Sequence, residues 1–167
     1  MNKDNLVKDV LSLIYNQNIE NEIREALSSK SLKPKEKTSD DFEIYYDQAS
    51  GEAVGIIYKN IVFLKHISKG PMNWNKAVAY CKTIVINGIR ARLCPVDDNW
   101  RVEFEKISKK LYHAFEKIGA EKLDYFTWAS EYDDTWAWLQ RFTDDGYVGY
   151  TNYKGSSNYV RPVLLLH

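Results

Sequence analysis

The sequence predicts an α+β domain in which two helices lie between two groups of antiparallel strands. Short runs of strand-forming composition fill residues 42–66 and 125–166, and two runs with helical apolar spacing fill residues 73–81 and 97–118 between them. Because helices and strands are segregated along the chain, a parallel βαβ sheet is not expected. Within residues 135–142 the side chains alternate with a period of two, which is typical of a strand.

The composition fits one domain without an export signal. The chain has 167 residues, enough to bury a core, and its 23 basic residues balance 23 acidic ones. This balance argues against a nucleic-acid or membrane-surface binder, because both partners attract basic proteins. No apolar run approaches the length of a membrane span, and the N-terminus lacks a signal-peptide pattern. We therefore expect a cytoplasmic protein, although a secreted or surface-exposed protein without its leader would have the same pattern.

An N-terminal helical arm is predicted over residues 1–33. Apolar residues recur at helical spacing over residues 6–14 and 19–27, and polar residues interrupt them. Two amphipathic helices of this kind can dock on their own domain, pair with a second copy as a homo-oligomer, or hold a partner. The polar residues 34–41 are predicted to be a linker to the main domain, residues 42–167.

The first group of strands is predicted to be a meander. Turn-forming residues separate three short β-type runs, which occupy residues 42–46, 53–58 and 61–66. Two helices follow. Asn73 is the predicted N-cap of the first, whose apolar stripe consists of Trp74, Ala77, Val78 and Cys81. The second begins after Pro95 with Asp97 or Asp98 as its cap, and its stripe consists of Trp100, Phe104, Ile107 and Leu111. It continues, or restarts, as far as Gly119, a residue typical of a helix C-terminus.

Four further β-type runs are predicted in the C-terminal region, at residues 125–129, 135–142, 147–152 and 159–166. The third is the weakest. The Asp144-Asp145-Gly146 sequence before it is a hairpin signal. In residues 135–142 one face consists of Trp136, Trp138, Gln140 and Phe142, and the other of Ala137, Leu139 and Arg141. We expect the tryptophans to pack in the core and Arg161 to be structural.

Three pieces of the sequence, in this order, resemble the C-type-lectin-like fold. They are NWNKAVAYC at residues 73–81, then Arg92-Leu93 followed by Pro95, two acids and Trp100, and finally Trp128-Ala129-Ser130-Glu131, Trp136-Ala137-Trp138 and Val160-Arg161-Pro162-Val163-Leu164. The similarity covers about residues 50–166. It is to the bacterial and phage branch that includes formylglycine-generating enzymes, fimbrial and surface proteins, and variable proteins of diversity-generating retroelements. The resemblance implies a C-type-lectin-like domain with two helices packed on small antiparallel sheets.

Departures from the family pattern restrict what the resemblance implies. The Pro-Thr pair of the family is replaced by Cys94-Pro95-Val96, with an apparent one-residue insertion, so an Asp must cap the second helix. The calcium-lectin triplets are absent, which argues against calcium-dependent sugar binding. Formylglycine-generating enzymes act through a late pair of cysteines, and no cysteine follows Cys94. We therefore do not expect that activity.

No catalytic, metal or cofactor site is predicted. Cys81 and Cys94 are interpreted as buried reduced thiols, and their spacing leaves a disulfide open. The three histidines are far apart, and no Cys-x-x-Cys or His-x-x-x-His pair indicates zinc. Carboxylates at Glu131, Asp133 and Asp134 could serve acid–base chemistry or calcium binding, but a solvated turn is the simpler interpretation.

The tyrosines of the C-terminal region predict a recognition surface. They alternate with Asp, Gly, Ser, Thr and Asn, a mixture typical of antibody-like surfaces, because Tyr supplies contact area at low entropic cost. The resemblance implies the same, since this region is the diversified ligand-binding face of the retroelement variable proteins. Ordinary polar hairpins are the alternative. The predicted ligand-binding residues are Tyr132, Asp133, Asp134, Tyr147, Tyr150, Asn152, Tyr153, Asn158 and Tyr159.

Three functions are therefore ordered by the sequence. The first is a non-catalytic module that binds a protein or cell-surface ligand through Tyr-rich loops between residues 128 and 159. The alternative is a structural or assembly protein, of fimbrial or phage type, that oligomerises through residues 1–33. The least favoured is an enzyme of the formylglycine-generating type.

Overall fold

Strands flank two helices in the computed structural model, which describes residues 37–39, 42–121, 123–143 and 147–167. The helices are α1 (Trp74–Lys82) and α2 (Asp98–Lys117). The strands before α2 are β1 (Lys37–Ser39), β2 (Phe42–Tyr46), β3 (Ala53–Tyr58), β4 (Ile61–Leu64), β5 (Val85–Ile86) and β6 (Ile89–Arg90). Those after it are β7 (Thr127–Glu131), β8 (Trp136–Arg141), β9 (Tyr147–Tyr153) and β10 (Val163–Leu165). The α+β class is confirmed.

Side-chain caps fix where the helices begin. The Asn73 side chain accepts a hydrogen bond from the Lys76 amide at 3.0 Å, and the Asp97 side chain accepts one from the Trp100 amide at 2.7 Å. The structure thus selects Asp97 as the cap of α2, which runs without a break to Lys117. Gly119 follows with a φ of 67°, a conformation that glycine adopts without strain.

All three sheets are antiparallel. The largest has the order β1-β2-β3-β4-β10, so the last strand of the chain lies beside the meander, with Val163 opposite Phe63. A second sheet has the order β7-β8-β9, and its strands β8 and β9 flank the predicted Asp-Gly turn, whose residues 144–146 lie outside those described. The third sheet is the β5-β6 hairpin, which the sequence analysis did not predict. Asn87 and Gly88 form its turn with positive φ, as Asn-Gly hairpins require.

Both faces of β8 are buried, and each face belongs to a different part of the core. Trp138 and Phe142 pack with α2 and the five-stranded sheet, whereas Ala137 and Leu139 pack with α1. The predicted period of two is therefore confirmed. The Phe142 ring lies 5.4 to 5.6 Å from those of Phe63, Phe104 and Phe115, with centroids in edge-to-face contact. Burial of one such ring stabilises the fold by about 1.5–3 kcal/mol.

Arg161 is a buried structural residue, as its sequence context predicts. One of its terminal nitrogens donates hydrogen bonds of 2.8 Å to the carbonyls of Leu64 and Lys65, and the other donates to the carbonyl of Glu121. The guanidinium also stacks on two phenylalanine rings of the core. Burial lowers the pKa of Arg161 to about 9, so the group remains charged at neutral pH. Arg161 thereby joins the segment before β10 to the end of β4 and to the residues after α2.

Several predicted boundaries differ from those observed. Lys37–Ser39, inside the predicted linker, forms β1 and pairs with β2. The last predicted strand, 159–166, is reduced to Val163–Leu165, because Pro162 cannot donate a ladder hydrogen bond. The predicted arm, residues 1–33, lies outside the described residues. Neither α1 nor α2 combines the length and the hydropathy of a membrane-crossing helix.

Candidate functional site

The predicted binding residues are concentrated on the β7-β8-β9 sheet and the turn that joins β7 to β8. Tyr150, Asn152 and Tyr153 lie within β9, not in loops. Tyr150 is opposite Leu139, and Tyr153 is opposite Trp136. Because side chains of a strand alternate between its faces, Tyr150 and Tyr153 project from opposite faces of the sheet. The tyrosines therefore do not form one patch.

Four aromatic side chains share the face of the sheet on which Tyr153 lies. The Tyr132 ring contacts the Trp138 ring edge to face, with centroids 4.9 Å apart, and the Trp136 and Tyr153 rings are 6.4 Å apart. Trp138 is the buried floor, whereas Tyr132, Trp136 and Tyr153 are 58%, 42% and 55% exposed. We call Tyr132, Trp136, Trp138 and Tyr153 the aromatic surface.

Trp136 corrects a prediction, because it was expected in the core with the other four tryptophans. Trp128 and Trp138 are buried, and Trp74 and Trp100 are half-buried against the core. Trp136 is the first residue of β8 and lies where the strand leaves the core. Its exposure adds the largest side-chain type in the protein to the candidate site, although it was not among the predicted binding residues.

The turn that carries Tyr132 is held by Asp133. The Oδ1 atom of Asp133 accepts hydrogen bonds of 2.7 Å from the amides of Thr135 and Trp136. The amides of Tyr132 and Asp133 in turn donate to the carbonyl of Trp136, at 2.9 and 3.1 Å. This agrees with the simpler interpretation of the acidic cluster, a turn between two strands. Asp133 and Asp134 are both exposed.

Lys154 fastens this turn to α1. Its ammonium donates to the carboxylate of Glu131 at 2.9 Å and to the carbonyl of Asp133 at 2.6 Å, and lies 4.6 Å from the centre of the Trp74 ring. The Trp74 amide also donates to the carbonyl of Lys154, at 3.0 Å. The sequence analysis missed Lys154, since nothing in the local pattern separates it from an ordinary surface lysine.

Arg101 of α2 also reaches the aromatic surface. Its guanidinium carbon lies 5.3 Å from the centre of the Trp138 ring, and its Nη1 atom is 3.4 Å from the carboxylate of Asp98. Arg101 was not predicted, because helical periodicity shows which residues of α2 face the core but not which partner its flank meets. The segment before α2 is tied to β7, since the Ser130 hydroxyl accepts from the Val96 amide at 2.9 Å.

The remaining predicted residues lie elsewhere. Tyr150 is 58% exposed and its ring lies 6.3 Å from that of Phe126, on which the Arg141 guanidinium stacks. Asn158 pairs through its backbone with Met72, and the carbonyl of Tyr159 accepts from the Trp128 amide. The side chain of Tyr147 lies outside the described part of the chain, as its backbone alone is placed in β9.

The described residues contain no arrangement suited to catalysis. Cys81 and Cys94 are free and buried, which confirms the reduced-thiol interpretation, and burial raises the pKa of both thiols, that of Cys81 to about 12. Across the described ranges no group of His, Cys, Asp and Glu could hold a metal ion. A shallow cavity of about 320 Å³ lies beside Ser130, but that hydroxyl is engaged by the backbone of Val96.

Comparison of the chain with protein-family models and with curated proteins gave no match. The properties of the site therefore come from its own residues. It is a rigid sheet face with three exposed aromatic rings over a buried fourth, and with carboxylates and two cations at its rim. Such an arrangement can bury a partner's apolar and polar groups together, as aromatic residues do at protein interfaces.

Proposed function

We propose that this chain contains a non-catalytic, C-type-lectin-like recognition module that binds a protein or cell-surface ligand. The C-type-lectin-like assignment rests on the sequence pieces described above. The observed order of strands, two helices and strands, with small antiparallel sheets, supports it at the level of fold class. Fold likeness alone does not give a function, so the proposal depends on the site.

The observation that carries the proposal is the aromatic surface. Exposed Trp and Tyr side chains clustered on one sheet face are unusual on a monomer and typical of interface hot spots. The four rings contact one another in pairs, and Asp133 and Lys154 hold the adjoining turn. A surface that is already ordered loses little conformational entropy when a partner binds.

The proposed surface differs in part from the one predicted by sequence. It retains Tyr132, Asp133, Asp134 and Tyr153, and gains Trp136 and the edge of Trp138. Tyr150 and Asn152 belong to the opposite face of the sheet, and so are not assigned to the same contact. The recognition surface consists of one sheet face and one turn, not of several loops.

Site-specific photo-crosslinking tests this proposal. A photoreactive residue at Thr135, whose side chain is exposed between Tyr132 and Trp136, is expected to capture a discrete protein from the native cells. The matched control is the same residue at Val102, which is 55% exposed on α2. Loss of the Thr135 product upon the Trp136→Ala substitution is expected. Equal capture from both positions, or capture that Trp136→Ala leaves intact, would contradict the proposal.

The captured protein then allows a quantitative test. Tyr132→Ala, Trp136→Ala and Tyr153→Ala should each weaken its binding by about 1–4 kcal/mol, the cost typical of aromatic hot spots. Tyr150→Ala, on the other face, should leave affinity within about threefold. Calorimetric titration with the purified partner measures both. A dependence on Tyr150 equal to that on Tyr153 would place the contact elsewhere.

A further inference from the structure

We infer that the aromatic surface accepts a cationic segment of its partner, one that presents arginine or lysine side chains. This inference rests on the proposed function and specifies the chemistry of the ligand. It follows from the charges at the rim of the surface and from the way the same structure already holds its own cations.

Carboxylates surround the aromatic surface. The turn beside Tyr132 contributes Glu131, Asp133 and Asp134, and the start of α2, which Arg101 brings against Trp138, contributes Asp97 and Asp98. All five carry exposed residues of the acidic type, against two cations in the same area, Arg101 and Lys154. The whole chain has equal numbers of acidic and basic residues, so this excess is local. It attracts cations and repels anions within roughly a Debye length of about 8–10 Å.

The two resident cations leave part of this negative charge unmatched. Lys154 pairs with Glu131, and Arg101 lies near Asp98. Asp133 is bound by two backbone amides, which retain its charge instead of cancelling it. No residue in the described ranges forms an ion pair with Asp134, which lies at the tip of the turn. An incoming ammonium or guanidinium can therefore meet a carboxylate without first displacing a cation.

The aromatic rings favour the same kind of partner. A cation over an aromatic ring is stabilised by about 0.5–1 kcal/mol at an exposed site, and Trp is the best acceptor. The protein itself uses this contact twice next to the site, with Arg101 over Trp138 and Lys154 over Trp74. Trp136 and Tyr153 are exposed and have no such cation in the described part of the chain. An arginine stacked there would gain ring contact and a neighbouring carboxylate together.

Titration with matched peptides tests the inference. The probes are a short peptide of alternating Arg and Gly, its isosteric citrulline counterpart and its Glu counterpart. The readout is the indole N–H resonance of Trp136, assigned with Trp136→Phe. We expect the Arg peptide to shift this resonance, added salt to weaken the effect, and Asp134→Asn to lower the affinity about two- to fivefold. The matched control, Glu52→Gln on an exposed turn of the other sheet, should not change it.

The outcomes separate this inference from the proposed function. If the citrulline peptide shifts the Trp136 resonance as strongly as the Arg peptide, the surface binds without regard to charge, and only the cation inference fails. If the Glu peptide binds best, or no peptide shifts the resonance, the cation inference is also wrong. The crosslinking result at Thr135 then decides the proposed function independently.

Discussion

The ring of Tyr153 occupies the space that a side chain at position 155 would fill. A Cβ atom on Gly155 would lie 2.3 Å from the Tyr153 ring, much closer than van der Waals contact. Gly155 thus determines how the tyrosine is presented next to Trp136. The absence of a side chain there is part of the construction of the aromatic surface.

The substitution Gly155→Ala should displace the Tyr153 ring without unfolding the protein. The ring is at the far end of an exposed side chain and can move, so the loss of stability should stay within about 1 kcal/mol. We expect the cross-relaxation between the Trp136 and Tyr153 rings to weaken and the Arg-peptide affinity to fall at least about twofold. Gly70→Ala is the control, because nothing lies within 4 Å of its Cβ position. An unchanged ring–ring signal in Gly155→Ala would refute this account.

Replacement of Arg161 should destabilise the fold. The substitution Arg161→Leu leaves three backbone carbonyls without their buried donor, at a cost of about 3 kcal/mol or more. Urea unfolding followed by tryptophan fluorescence measures the difference. Arg90→Leu, at an exposed arginine of β6, should change stability by less than about 0.5 kcal/mol. Equal effects of the two substitutions would show that the Arg161 contacts contribute nothing.

Asp133 and Asp134 should have separable roles. Asp133→Ala removes the acceptor of two backbone amides and is expected to cost about 1–2 kcal/mol, whereas Asp133→Asn retains an acceptor and should cost less. Asp134→Ala should leave stability within about 0.5 kcal/mol, since its side chain is exposed. Thermal and urea unfolding of the three variants give the comparison. A larger loss for Asp134→Ala than for Asp133→Ala would reverse the assignment.

The buried thiols should make the protein less stable in alkali. Burial raises the pKa of Cys81 in the folded protein from 9.0 to about 12. Below pH 9 both states are protonated; above it the unfolded thiol ionises first, so stability falls as pH rises from about 9 to 12. The fall attributable to Cys81 is at most about 1.4 kcal/mol per pH unit. Comparison of Cys81→Ala with the natural protein over this range isolates it, and identical slopes would contradict the raised pKa.

Much of the fold was predictable, because local signals and burial agree in it. Asn73 and Asp97 cap their helices as their positions predict, and the stripe from Phe104 to Leu111 packs against the core. The alternation along β8 is also real, with one face on each part of the core. In these elements each residue is placed by the secondary structure to which it belongs.

The site was less predictable, because it depends on register and on neighbours distant in sequence. Tyr150 and Tyr153 look alike in the sequence, and only their pairing with Leu139 and Trp136 places them on opposite faces. The exposure of Trp136 depends on where β8 leaves the core, which no periodicity reveals. Arg101 reaches Trp138 across a gap of many residues, and no local pattern encodes that contact.

The division of β8 into a buried middle and an exposed start has an evolutionary consequence. Substitutions at Ala137, Trp138 and Leu139 alter packing on both sides of the strand, whereas exposed positions nearby, such as 132, 134, 136 and 153, contribute little to the core. Mutations at those positions can accumulate while the chain still folds. The same scaffold can therefore give rise to descendants with different partners by changing a handful of codons.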